Sequence, residues 1–518
     1  MHFPLLSCLT FLPLLGALSL LLLRGDIASV EAASRRIALG TALLSLLLAL
    51  ALWAGFVPGQ AGFQFEDRAD WVPGFGISYH LGLDGISLLF VVLTATVTPL
   101  AILAAWRAID SRVRDFMIAM LVLETTLFGL FSSLDFVLFY VFYEATLIPG
   151  SLLIGIWGGP KRVHASIKFF LFTFAGSLFM LLALLAMWHV TGTTDIPVLL
   201  HTRFAPSLQG WMFLGLVLAF GVKLPIFPLH AWLPDAYTEA PAPATAMLSG
   251  VLSKAGAYGL LRFAIGMLPD AAHRYAPWLI ALGIVAVIYA AIIALSQTDT
   301  KRLIAYSSFS HMGLVLVGLF TLNAAGIDGA LFVMLSHGII IAALFFVVAM
   351  LSARTGTREI AGLGGTASRM PVFASLAMLF AMANIGLPGT GSFVGELLVM
   401  IGAIRVGFWV ALLSGTAMIL GAVYMLVMVR RVLFDGLSGL RAAIADLDLR
   451  ERAILVPLAV ITLWMGIYPS SFTRVFDPAV GIVTGAPTPA STPAPVAAAA
   501  PTDAPTNAPT NAASATPG

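Results

Sequence analysis

Apolar stretches of about 20 residues recur along nearly the whole chain and are separated by short polar connections. Twenty helical residues rise about 30 Å, which matches the hydrocarbon thickness of a bilayer. The pattern therefore predicts an all-α polytopic membrane protein with about fourteen transmembrane helices. The predicted spans are 3–23, 36–56, 85–106, 116–132, 135–157, 166–190, 211–233, 241–268, 276–296, 302–321, 327–351, 372–404, 407–430 and 452–469.

Three segments lack the pattern of a membrane span. Residues 57–84 are rich in Gly and Pro with alternating apolar positions, which predicts an external loop with a short hairpin. Residues 434–451 carry apolar residues on one helical face and predict an amphipathic helix at the inner membrane surface. Residues 485–518 are mainly Ala, Pro and Thr, which predicts a disordered external tail to which we assign no function.

The distribution of charge gives an orientation. Fourteen spans place both termini on the same side of the membrane. If that side is the outside, nineteen of the 27 Lys and Arg residues lie in inside connections, six lie outside, and Lys223 and Lys254 lie within spans. This excess follows the positive-inside rule. Only 10% of the 518 residues are charged and 60% are hydrophobic, and the single cysteine, Cys8, excludes an intrachain disulfide.

Two spans contain residues that interrupt a helix. Pro225, Pro228 and Pro234 fall within or just after the seventh span, and the twelfth contains Gly386 and Pro388. Irregular backbone at membrane depth is tolerated only against protein or a wet cavity, and paired broken helices indicate inverted repeats around a transport site. The breaks lie five spans apart, so two inverted five-helix repeats are predicted.

The predicted regions then follow the chain in five parts. They are N-terminal helices and an external loop at 1–115, a first repeat at 116–270, a second repeat at 271–433, the surface helix and last span at 434–470, and the tail at 485–518.

Four charged residues lie deep in apolar runs, namely Glu144, Lys223, Lys254 and Glu396. A charge at bilayer depth costs from about 3 to over 10 kcal/mol. Such residues usually mark an ion or proton path, although a neutral carboxyl or a purely structural ion pair is the alternative for each.

Three histidines are weaker candidates for the same path. His230 follows the first break, and His311 and His337 lie in apolar helices beside serines. Each histidine has two open interpretations, a proton relay or a hydrogen-bonded packing residue. Glu124 also lies inside a span, and the sequence indicates neither a partner nor a role for it.

Several runs of residues resemble a known family, the antiporter-like proton-translocating subunits of respiratory complex I. The resemblance covers roughly residues 80 to 470. The runs that carry it are FYE at 142–144, GVKLPIFPLHAWLPDAYTEAP at 221–241, SKAGAYG at 253–259, KRLIAYSSFSH at 301–311 and NIGLPGTGSF at 384–393.

The resemblance implies roles for the buried charges. Glu144 and Lys223 would form an input pair, Lys254 a central relay and Glu396 the terminal exchange site. His311 and His337 occupy positions that the family is thought to use for hydration and proton connection. Two of the three large family members carry lysine where this chain has Glu396, so the glutamate resembles the third.

The resemblance also implies an enzyme complex. The chain would be a proton-translocating membrane subunit of an NADH:quinone oxidoreductase, with no redox centre, cofactor or metal site of its own. NAD, FMN, iron–sulfur clusters and quinone would reside in partner subunits. Its neighbours would be two antiporter-like subunits and small membrane subunits, in a bacterial inner membrane with both termini on the periplasmic side.

Two other assemblies remain open at this stage. Multi-subunit sodium/proton antiporters contain large subunits that resemble the chain across the same motifs, and co-purification with an NADH-oxidising arm distinguishes the oxidoreductase from such an antiporter. The second alternative is a membrane subunit of an energy-coupling hydrogenase.

Overall fold

The computed structural model describes residues 4–60, 62–435 and 444–484, and these are predominantly helical. Helices suit an apolar chain because each satisfies its backbone hydrogen bonds internally. The α-helices are α1 Leu5–Leu21, α2 Ile27–Gly55, α3 Gly85–Ala108, α4 Val113–Ser132, α5 Phe136–Ala145, α6 Leu147–Trp157, α7 Arg162–Thr191, α8 Ile196–His201, α9 Pro206–Lys223, α10 Leu233–Glu239, α11 Ala242–Met247, α12 Lys254–Gly259, α13 Pro269–Leu295, α14 Thr300–Phe320, α15 Ala324–Thr355, α16 Pro371–Ile385, α17 Gly391–Val406, α18 Phe408–Val429, α19 Leu449–Ile467 and α20 Ser470–Thr484.

The described residues include nine helical segments that are long and apolar enough to cross a membrane, counting α5 with α6 as one segment and α18 with the π-helix that follows it. The pair α19 and α20, bent by 65°, raises the number to ten if it forms one span. Two shorter apolar helices are α1 and α16. The prediction of a multi-pass helical membrane protein is confirmed at this level.

The hairpin predicted in residues 57–84 is present. Strand β1 (Gln64–Val72) pairs antiparallel with β2 (Ile77–Leu83) across a 3₁₀ turn at Pro73–Phe75. His80 on β2 lies 3.3 Å from Asp195 and 3.0 Å from Glu66. Burial alone would lower the pKa of His80, but these two carboxylates outweigh it and raise that pKa. The hairpin is thereby tied to the N-terminus of α8.

Both predicted interruptions are confirmed. Helix α9 ends at Lys223 and α10 begins only at Leu233, because the prolines between them cannot continue a helix. The Trp232 indole donates to Val222 O at 2.8 Å and closes this turn. Helix α16 ends at Ile385 with Gly386 in the left-handed region, and α17 begins at Gly391.

A third irregular segment was not predicted. Two π-helical turns, Leu248–Leu252 and Leu260–Ile265, flank the short helix α12, which begins with Lys254. A third π-turn, Arg430–Phe434, follows α18. Such turns frequently accompany functional sites. The repeated Ala, Gly and Leu of this stretch carry no Pro that would have revealed it.

The C-terminal prediction needs correction. Residues 444–448 form no helix, and α19 begins at Leu449, where Asp448 and Glu451 form a capping box. The remainder of the predicted surface helix, 436–443, and the predicted tail, 485–518, lie outside the described residues. Helix α20 had no counterpart in the predicted elements.

Helices α14 and α15 form the centre of the bundle, and the apolar window of each is completely buried. Glycines allow close approach of the surrounding helices. Gly338 of α15 faces Gly250, and Gly313 of α14 faces Gly283 of α13, with backbone contacts that leave no room for a side chain. These two central helices carry His337 and His311.

Candidate functional site

Lys254 contacts one of the central histidines. Its ammonium donates to Ser249 O at 2.5 Å and lies 2.9 Å from Nδ1 of His337. Both side chains are fully buried. An ammonium has only donors, so His337 Nδ1 must be the acceptor when Lys254 is charged. A proton can therefore pass along this hydrogen bond from lysine to imidazole.

The second histidine extends the contact to the buried glutamate. The rings of His337 and His311 lie 5.2 Å apart, and Nε2 of His311 lies 3.5 Å from Oε1 of Glu396. The structure thus places Lys254, His337, His311 and Glu396 in one buried row. These four were predicted from separate parts of the sequence.

His311 is held so that both ring nitrogens face acceptors. Nδ1 lies 2.8 Å from Ser307 O, and Nε2 lies 3.0 Å from Asn384 O, at the end of the broken helix α16. Carbonyl oxygens accept only, so protons on both nitrogens satisfy both bonds. When both nitrogens carry a proton, the ring is cationic and the Glu396 carboxylate beside it is the counter-charge.

Glu396 has spare capacity for a proton. Its Oε2 is buried without a hydrogen-bond partner among the described residues. A Cβ at Gly386 would lie 2.6 Å from this oxygen, and Gly386 has φ +87°. The glycine of the second break is therefore required for the carboxylate to occupy its place.

A hydroxyl and amide network beside the row was not predicted. Asn384 Nδ2 donates to Ser307 Oγ at 2.8 Å, and Ser307 Oγ lies 2.9 Å from the Tyr424 hydroxyl. The cluster Ser307, Ser308 and Ser310 in an apolar helix was the only signal in the sequence. Ser307 and Asn384, which this network joins, also supply the two backbone carbonyls that orient His311.

The first pair of charges is close but not in direct contact. Lys223 donates to Thr146 Oγ1 at 2.8 Å and to Tyr143 O at 3.3 Å, and its ammonium lies 3.6 Å from the centre of the Tyr143 ring. Among the described residues, no carboxylate oxygen lies within 4 Å of this ammonium, while Glu144 has a buried oxygen without a hydrogen bond. Thr146 and Tyr143 were not predicted as partners.

The remaining candidates lie apart from the row. His230 stacks on Phe309 with ring centroids 4.4 Å apart, and its Nδ1 is buried without a partner. Lys168, which interacts electrostatically with His230, pairs with Asp235 at 2.7 Å. Both carboxylate oxygens of Glu124 are buried without a hydrogen-bond partner among the described residues.

One further buried charge was not among the candidate residues. Arg262, counted with the outside residues, is buried in the second π-turn after Lys254 and pairs with Asp84. It also donates to Ser87 Oγ at 3.1 Å. In the part of the chain that the structure describes, no group of three or more His, Cys, Asp or Glu residues is arranged to hold a metal ion.

Comparison with known proteins identifies the family. The family model described as "NADH:quinone oxidoreductase/Mrp antiporter, TM" matches residues 133–421. NADH-quinone oxidoreductase subunit M of Rhodobacter capsulatus is 46% identical over 493 residues, covering 92% of this chain and 95% of that protein. NADH-ubiquinone oxidoreductase chain 4 of Marchantia polymorpha is 41% identical over 477 residues, covering 92% and 96%.

A solved structure agrees with these relatives. A chain of respiratory complex I from Thermus thermophilus with bound NADH superposes with a TM-score of 0.85 at 33% identity, covering 93% of this chain and 99% of that chain. The family expected from the motifs is confirmed, since sequence and fold agree over nearly the full length. The chain belongs to the transmembrane family of NADH:quinone oxidoreductase and Mrp antiporter subunits, where its near-full-length relatives are subunit M, or chain 4, of the oxidoreductase.

Proposed function

We propose that the chain conducts protons along the row Lys254, His337, His311 and Glu396 as a membrane subunit of an NADH:quinone oxidoreductase. One observation carries the proposal. Four buried titratable groups from α12, α15, α14 and α17 stand in sequence, with a 2.9 Å lysine–imidazole hydrogen bond at one end and a 3.5 Å imidazole–carboxylate contact at the other. Such chains of Lys, His and Glu mark proton relays in membranes.

Glu144 and Lys223 act as the input switch of this path. The Lys223 ammonium rests on Thr146 and Tyr143, while Glu144 keeps a buried oxygen free. Movement of the ammonium from the hydroxyl to the carboxylate would close the pair. Removing that positive charge from the neighbourhood of Lys254 changes how tightly Lys254 holds its proton.

The driving force comes from partner subunits. Moving one charge against 100 mV requires about 2.3 kcal/mol. The full-length relatives are subunits of NADH-quinone oxidoreductases, so electron transfer from NADH to quinone supplies the energy. NAD, FMN, iron–sulfur clusters and quinone then belong to those partners, among them two antiporter-like neighbours and small membrane subunits.

The chain crosses a bacterial inner membrane fourteen times as two inverted repeats, with both termini outside. Each of the fourteen predicted ranges contains a helix. Each proposed repeat, 116–270 and 271–433, contains one interrupted helix, α9–α10 in the first and α16–α17 in the second. The excess of inside Lys and Arg supports this orientation.

The test is NADH-driven proton uptake by vesicles that contain the assembled complex with Glu396→Gln. Proton transfer by a positioned side chain contributes on the order of 100-fold or more, so uptake through this subunit should be lost while the complex stays assembled. The matched control is Glu359→Gln, an exposed glutamate outside the row. Unchanged proton-to-electron stoichiometry in Glu396→Gln would refute the path.

A further inference from the structure

An apolar cavity of about 420 Å³ lies between α2, α3, α15 and α19, away from the proton row. Its walls include Leu46, Leu93, Leu335 and Pro457. The volume falls within the range of about 300–1,000 Å³ that is typical of ligand pockets. Thr96, a polar residue in the wall, donates its hydroxyl to Val92 O of its own helix. The occupant must therefore be hydrocarbon where it fills the cavity.

The cavity opens to the lipid-facing surface along α2. Leu43 and Leu50 line it and are 44% and 41% exposed. One end is closed by the rings of Trp53, Trp464 and Phe472, whose centroids lie 5.0–5.9 Å apart. Tryptophan is typical of the membrane–water interface. A long chain can thus enter from the bilayer and end against this aromatic cluster.

Two arginines bind backbone carbonyls of α3 and of Ile109 just after it, beyond the cavity end that is opposite the aromatic cluster. Arg450 donates to Leu103 O at 3.1 Å, and Leu103 also lines the cavity. Arg35 donates to Ile109 O at 3.1 Å, at the end of the same helix α3. Nε of both guanidinium groups is buried without a hydrogen-bond partner, and among the described residues neither group has a carboxylate oxygen within 4 Å.

Nearby carboxylates are already engaged. Asp448 pairs with Arg107 at 2.9 Å, and Glu451 pairs with Arg354 at 2.5 Å. Among the described residues, Arg35 and Arg450 therefore have no carboxylate oxygen within 4 Å, and the carboxylates that act on Arg450 from farther away, Asp448 and Glu451, each hold another arginine. Arg35 precedes Leu46 and Trp53 by 11 and 18 residues, so helical periodicity places all three on one face of α2.

We infer that this cavity binds an anionic phospholipid, with an acyl chain inside and the phosphate on Arg35 and Arg450. Hydrocarbon and negative charge are required together, at opposite ends of one occupant. A transmembrane helix of a partner would fill the cavity but would not supply the anion. Basic pockets between transmembrane helices on the cytoplasmic side bind anionic lipid head groups, and the proposed orientation places these arginines on that side.

The test is native mass spectrometry of the delipidated full chain, titrated with phosphatidylglycerol or phosphatidylcholine of identical acyl chains. The wild type should bind phosphatidylglycerol about tenfold more tightly, because both lipids present a phosphate to the arginines but the choline of phosphatidylcholine neutralises its charge. Arg35→Gln/Arg450→Gln should abolish this preference. The control Arg405→Gln/Arg474→Gln removes two exposed arginines elsewhere and should retain it.

A second variant tests the cavity without disturbing the packed interior. Leu43→Trp places a large ring at the exposed opening and should weaken binding of both lipids. Equal affinity for the two lipids in the wild type, or an unchanged preference in the arginine variant, would overturn the inference. So would a photoreactive acyl chain that labels only other subunits of the assembled complex. Competition by inorganic phosphate alone would show that the arginines bind a free anion and not a lipid.

Discussion

At the scale of single residues, the second helix break exists to make room for a carboxylate. Gly386→Ala would add a Cβ 2.6 Å from Glu396 Oε2 at a position with φ +87°. We expect the variant to displace Glu396 from His311 and to lower proton translocation about as strongly as Glu396→Gln, on the order of 100-fold. The readout is proton uptake by reconstituted vesicles.

A glycine of the same break provides the matched control. Gly389 has φ +91°, but a Cβ there would meet nothing within 4 Å. Gly389→Ala should therefore share the backbone strain and keep the carboxylate in place. Equal loss in the two variants would show that strain, and not displacement of Glu396, causes the effect.

The four charges at bilayer depth were visible in the sequence because their cost in lipid makes them conspicuous. Their partners were not visible. In the sequence, Thr146 and Ser307 are ordinary hydroxyl residues in apolar helices. In the folded chain, Lys223 donates to the Thr146 hydroxyl and Asn384 donates to the Ser307 hydroxyl. Spacing along the chain also says nothing about contacts such as Lys254 with His337, which are 83 residues apart.

At the scale of elements, the π-turn after Lys254 is fixed by a buried ion pair. Arg262 pairs with Asp84 at the start of α3, and removing one partner of such a pair costs about 3–5 kcal/mol. Arg262→Met should therefore lower the melting temperature of the purified protein. The double variant Arg262→Met/Asp84→Asn should recover part of the loss, since no unpaired charge remains.

A lack of recovery in the double variant would show that the packing of the Arg262 side chain, and not its charge, holds the π-turn.

Prolines revealed the two breaks in the sequence, whereas this turn has none. Its geometry depends on tertiary contacts of Arg262 and Tyr258 with α3.

The β1–β2 hairpin has a pH-dependent attachment. The pKa of His80 is raised in the folded protein by Asp195 and Glu66, despite its burial. The attachment is therefore complete below about pH 6.5, the unfolded value, and is lost as pH rises through the higher folded pKa. We expect protease cleavage in the hairpin to accelerate as the pH rises above about 6.5, relative to an unstructured substrate.

The same carboxylate sets the lower limit of this window. The pKa of Asp195 is lowered, because His80 and Arg68 outweigh the effect of its burial. Its contribution is present above about pH 3.9 and is lost as pH falls through the lower folded pKa. His80→Gln should remove the acceleration above about pH 6.5, and a retained pH dependence would place the titrating group elsewhere.

At the scale of the whole molecule, the number of membrane crossings decides whether the two repeats are inverted relative to each other. Cys8 is the only native cysteine, so a Cys8→Ser chain provides a background for cysteine labelling. Single cysteines introduced by Ser111→Cys and Thr357→Cys should then react with a membrane-impermeant reagent from the inner side, and those introduced by Arg203→Cys and Gly407→Cys from the outer side. Labelling of the cysteines at positions 111 and 407 from the same side would exclude fourteen crossings.

The central helices also determine how the protein is made. Helix α14 carries Lys301, Arg302 and His311, and every residue of its apolar window is enclosed by protein. Alone in lipid such a segment would expose groups that no lipid can satisfy. Its sequence neighbours α13 and α15 are also its packing neighbours. Release of α13, α14 and α15 into the bilayer together would cover the faces on which α14 packs, but the equally buried α15 would stay exposed until later helices reach it.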